Sequence, residues 1–99
     1  MAIVIKPNGE TTEAFPQNKR TGFDLEELYA LIGCDCIDVV ILGSGERMVV
    51  DDEACYKTLE QSPPNQKAST LYWTSRPSTT PFKQFIRGTV LVGNAREIQ

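Results

Sequence analysis

The chain opens on an unbroken apolar run, Ala2 to Ile5, which ends at Lys6 and is followed by the polar stretch Pro7-Asn8-Gly9-Glu10. Asn-Gly between two extended runs predicts a hairpin, with Ala2–Lys6 and Thr11–Phe15 as its strands. Pro16 to Gly22 reads as a loop. The pattern then changes period. Leu25, Leu28, Leu31 and Ile32 recur at helical spacing, so one face of a helix is apolar. Its start is written in Asp24 and Glu27, an acidic form of the capping box, with Phe23 and Leu28 placed for a hydrophobic staple. Gly33 suits the left-handed position that stops a helix.

Cys36 to Leu42 reads as a strand, with Ile37, Val39 and Ile41 on one side and Asp38, Val40 and Leu42 on the other. Asp38 implies incomplete burial of that second side. Gly43-Ser44-Gly45-Glu46 turns the chain into Arg47–Val50, a second hairpin. Asp51, Asp52 and Glu53 place negative charge where a helix start favours it, predicting a short helix from Glu53 to about Leu59. Ser62-Pro63-Pro64 ends it. Asn65 is the expected cap of a further helix, Gln66–Trp73, with Ala68, Leu71 and Tyr72 inward. Ser75 to Pro81 is a polar loop. Phe85–Val92 is the last strand, where Gly88 marks a bulge or a close approach.

The order β-β-α-β-β-α-α-β predicts a single α+β domain over residues 1–99. About five strands would form a largely antiparallel sheet, with two to three helices packed on one face. The 99 residues are enough for one core, and 40% hydrophobic with 23% charged residues is ordinary for a globular chain. No apolar run approaches the roughly 20 residues needed to span a bilayer. The first residues carry neither a basic segment nor a long apolar one, so the expectation is a cytoplasmic protein without a signal peptide.

Charge changes the picture more than composition does. Residues 1–60 hold twelve carboxylates against five bases, a net of −7; residues 61–99 hold one carboxylate against five bases, a net of +4. Such segregation points to an anionic ligand, a partner surface or a homo-oligomer. Cys34, Cys36 and Cys55 are an odd number of thiols and the chain has no histidine. They read as free structural thiols, because Cys34-Asp35-Cys36 offers too few ligands for zinc.

Several stretches together resemble a small domain family of unknown function found in phages, plasmids, cyanobacteria and other bacteria. They are Ile3–Gly9, Leu25–Gly33, Ile37–Val40, Arg47–Ala54, Asn65 with Ala68, and Ile86–Val92. In that family the first helix usually ends in a doubled glycine followed by an aromatic, where Gly33-Cys34-Asp35-Cys36 stands here. A glycine is also usual where this chain has Ala54. The resemblance implies a mobile-element setting and a compact α+β domain, and it supplies no catalytic residues.

Enzyme chemistry is not expected. Lack of histidine removes the imidazole base of Ser-His and Cys-His pairs, and Gly43-Ser44-Gly45 lacks the lysine of a phosphate loop. Asp51, Asp52 and Glu53 could serve a hard divalent cation, hence a metal-dependent hydrolase, but three adjacent acids at a helix start are usually a cap, and only one or two could face a single ion. No cofactor is expected. The better candidate is the interleaving of Tyr72, Trp73, Arg76, Phe82, Lys83, Phe85 and Arg87, because aromatic rings stack on bases and cations hold phosphates. Trp73, Arg76, Lys83 and Arg87 are the candidate ligand-binding residues for a small anionic molecule or nucleotide. In a mobile-element setting that ligand would be a host defence signal. Core packing for Tyr72 and Phe85 and a solvated face for the cations stand beside this. Extended nucleic acid is disfavoured by the overall acidity. The alternative function is a protein-interaction module that docks a host protein on Asp35, Asp38, Glu46, Asp51 and Asp52.

Overall fold

In the computed structural model, residues 2–18, 20–43, 45–53, 57–58, 60–75 and 86–98 are described. The elements run β1 (Ala2–Ile5), β2 (Thr11–Ala14), α1 (Leu25–Ile32), β3 (Ile37–Ile41), β4 (Arg47–Asp51), α2 (Gln66–Ser75) and β5 (Val90–Gly93). All the strands join one antiparallel sheet in the order β2-β1-β5-β4-β3. The last strand is thus inserted between the two hairpins and welds them into a single α+β domain.

Local chemistry accounts for the ends of the elements. In the first hairpin Gly9 takes φ +92°, and its N–H donates to the Lys6 carbonyl at 2.9 Å. The Asp24 carboxylate accepts from the Glu27 N–H at 2.8 Å and Glu27 accepts from the Asp24 N–H at 3.2 Å, completing the capping box. Gly33 closes α1 in the left-handed region. Phe23, Leu28 and Ile32 are buried together, but Leu25 at the helix tip is 58% exposed and does not belong to the inward stripe.

The sheet is apolar on both faces, and this sets the layering. Ala2, Val4, Val49 and Leu91 meet α1 through Leu28 and Ile32, with Ile98 sealing the same cluster. Ile5, Met48, Val90 and Val92 meet α2 through Ala68, with Leu71 and Tyr72 packed alongside. The helices therefore cover opposite faces, not one face as the element order alone led us to expect. Strands β1, β4 and β5 carry apolar side chains at consecutive positions, and strands of that kind need cover on both sides.

The expected short helix from Glu53 to about Leu59 falls mostly outside the described residues. Asp52 and Glu53 form a turn, in which Asp51 Oδ1 accepts the Glu53 N–H at 2.9 Å; residues 54–56 and 59 lie outside the described set. The last strand is shorter because its expected first half is used otherwise. Gly88 sits at φ +81° with its Cα facing the Ser62 hydroxyl, leaving a Cβ only 3.0 Å from Oγ, and its N–H donates to Pro63. No helix among the described residues is long and apolar enough to cross a membrane.

Candidate ligand groove

Helix α2 is held less by oil than by a buried polar knot. Asn65, fully buried, accepts from the Ala68 N–H at 3.1 Å and so caps the helix. Its Nδ2 donates to the carbonyls of Ile5 and Gly88, each at 2.9 Å. The Ser69 hydroxyl, also fully buried, donates to Asn65 O at 2.7 Å and accepts the Ile86 N–H at 2.8 Å. These bonds tie β1, α2 and residues 86–88 together with every described buried side-chain polar atom partnered.

Anchored at that end, α2 leans over the first hairpin and leaves a groove of about 600 Å³. Ile5, Pro7 and Leu71 give it apolar surface; Asn8, Gln66, Thr70 and Thr74 add polar groups, and Lys67 is the one charge among its described lining residues. That volume falls within the few hundred to about 1,000 Å³ of small-molecule sites, and an apolar cleft with few polar groups is their usual make-up. A second, polar pocket of about 120 Å³ lies at the end of α1, lined in part by Gly33, Asp51, Lys57 and Ser62. At roughly 30 Å³ per water it holds a few waters, not a nucleotide.

The residues singled out from sequence fare unequally. Trp73 is half-buried on α2, one turn beyond Ser69, on the helix side that Ser69 turns toward Ile86. Arg87 is half-buried, and its guanidinium donates from Nε to Ser62 O at 2.9 Å and from Nη2 to Lys57 O at 2.8 Å. It thereby pins the 57–63 segment to the segment before β5. Arg76 and Lys83, with Phe82 and Phe85, lie outside the described residues. Lys67 had no distinguishing sequence signal. Its place in a groove depends on contact between α2 and a hairpin some sixty positions earlier.

The acidic residues separate as well. Asp35, Asp38, Glu46, Asp52 and Glu53 are exposed, whereas the Asp51 side chain is 7% exposed and ion-paired with Lys57 at 2.5 Å. The Asp51 carboxylate, as hydrogen-bond acceptor, pushes the Lys57 ammonium above its ordinary range. No three His, Cys, Asp or Glu residues among those described come together as a metal would require. Cys34 is buried, and burial raises its thiol. Cys36 is exposed, and its thiol is raised by a hydrogen bond to the Glu53 carboxylate, so neither described thiol is activated. Gly45 donates to the Leu42 carbonyl and Leu42 to that of Glu46, which makes the glycine-rich stretch a hairpin turn. No protein-family model matches the chain, and neither a curated protein nor a solved structure resembles it significantly.

Proposed function

We propose that the protein is a non-enzymatic binding module for a small anionic ligand, of which a nucleotide is the leading class. The observation that carries this is the groove of about 600 Å³, largely apolar, with Lys67 as the cation among its described lining residues. A planar apolar body would lie against Ile5, Pro7 and Leu71, with its anionic group at Lys67. Trp73, Arg76 and Lys83 are assigned to the same ligand on their chemistry alone, because a ring stacks on a base and cations hold phosphates. Arg87 belongs to this set by charge, but two of its donor directions serve backbone carbonyls, so it acts chiefly by holding the neighbouring segment. In the mobile-element setting that the sequence resemblance implies, binding amounts to sequestration of a host defence signal in the cytoplasm. The charge segregation of the chain favours copies associating around it.

Native mass spectrometry at low salt, on protein isolated from cells that naturally carry it, tests this. An added mass of nucleotide size, lost in Lys67→Glu, is the expected result. A bare chain that also fails to take up any of the common mononucleotides and cyclic dinucleotides overturns it.

A further inference from the structure

The sheet ends on β3 at the edge opposite the groove. The Asp52 N–H donates to Cys36 O and the Leu42 N–H to Glu46 O, flanking the Ile37–Asp51 to Ile41–Arg47 register. In an antiparallel ladder this alternation turns the backbone groups of residues 36, 38, 40 and 42 toward β4. Ile37, Val39 and Ile41 therefore turn theirs outward. The side chains of the same three residues form the apolar strip on the α1 face, where α1 leaves Ile37 and Val39 half-buried and Ile41 65% exposed. A partly apolar edge to which no other described strand pairs is a template for strand pairing.

What sits on that edge says which strand fits. The Asp38 carboxylate reaches across to accept the outward Val39 N–H at 2.9 Å. Around the same end of the strand stand the exposed carboxylates of Asp35, Asp52 and Glu53, with Lys57 already paired to Asp51. Two copies of this chain paired antiparallel about Val39 would set their Asp38 carboxylates diagonal to each other on one face. A basic strand would instead neutralise them.

We propose that β3 is a docking edge for an extended segment of another protein in which basic and apolar residues alternate. The segment pairs with the outward groups of Ile37, Val39 and Ile41. Its apolar residues fall on the Ile37–Val39–Ile41 strip, and its basic residues fall on the other face beside Asp38. On docking, the Val39 N–H passes from the Asp38 carboxylate to a carbonyl of the incoming strand, and the carboxylate passes to a lysine or arginine. Hydrogen-bond number is conserved, and charge decides between partners. The groove takes no part, so the two sites succeed or fail separately.

The probe is a synthetic peptide of about eight residues with alternating lysine and valine, within the usual range of strand lengths. It is titrated into isotope-labelled protein and followed by amide NMR. The expected result is saturable shifts and slowed hydrogen exchange at Ile37, Val39 and Ile41. Methylating alternate peptide nitrogens, which keeps the charge but blocks pairing, should weaken binding about tenfold or more, and so should Asp38→Lys, which reverses the charge at the edge. Asp38 is exposed, so that variant keeps the fold, and its unchanged spectrum elsewhere verifies this. Equal binding of the methylated peptide, or shifts that avoid β3, overturns the proposal. So does concentration-dependent self-association of the unmodified protein through β3.

Discussion

The two faces of the sheet are covered by helices of similar length on different physical terms. On one face α1 presses Leu28 and Ile32 into a dry cluster with Phe23, Val49, Leu91 and Ile98. On the other, α2 contributes Ala68 as its fully buried apolar side chain and relies on Asn65 and Ser69. Burying a leucine is worth about 1.5–3 kcal/mol and needs only complementary shape. A buried amide needs every partner in place. The first arrangement seals its face; the second fixes one end of a helix and leaves room beside the rest. That is why the groove lies under α2.

The largest expected effect breaks the polar side. Asn65→Leu removes the cap of α2 and the donors to Ile5 and Gly88, and we expect a loss of about 4 kcal/mol. Urea unfolding, followed both by far-ultraviolet dichroism and by emission of Trp73, the one tryptophan, measures it. Unchanged stability would mean that α2 is held by apolar contact after all. Leu28→Ala on the other face should cost about 3 kcal/mol by loss of contacts and a residual cavity.

Gly22→Ala comes next. Gly22 adopts φ +77°, and an added Cβ would stand 2.4 Å from the carbonyl oxygen of Glu97, where the C-terminal turn crosses it. Both the backbone conformation and the clash oppose alanine, so a loss of about 2 kcal/mol or more should appear in the same unfolding assay. Asp24→Ala removes only the α1 cap, worth about 1 kcal/mol.

The smallest effect is chemical. Cys36 donates toward Glu53, so its folded pKa lies above the ordinary thiol value. This contribution is present below that ordinary value and disappears as pH rises through the raised one. Glu53→Gln should therefore shift the pH midpoint of Cys36 alkylation downward and speed the reaction at neutral pH, read by mass spectrometry. An unshifted profile would detach the thiol from Glu53.

Signals that act within a few residues were legible from sequence. Asp24 with Glu27, Gly33, Asn8-Gly9 and Asn65 each declare an element boundary through their own hydrogen bonds. The α+β class follows from those boundaries. What could not be read depends on distant partners. Nothing near Val90 tells it to pair with β1 and β4 rather than end the sheet. The opposite placement of the helices is implicit in the consecutive apolar residues of β1, β4 and β5, yet the element order does not convey it. The acidic run Asp51-Asp52-Glu53 does not announce that Asp51 holds the Glu53 N–H and pairs with Lys57. Arg87 shows the same limit at the site. A guanidinium that grips two carbonyls and one that awaits a phosphate have the same sequence signature.

The most direct test of the account is an amide NMR titration of the protein with mononucleotides and cyclic dinucleotides. A ligand held in the groove should shift Asn8, Gly9, Lys67, Thr70 and Thr74 saturably, leave Leu28 and Ile32 unmoved, and lose its effect in Lys67→Glu. If no compound in the panel gives saturable shifts, or if they fall on the α1 face, the α2 face is not a binding face.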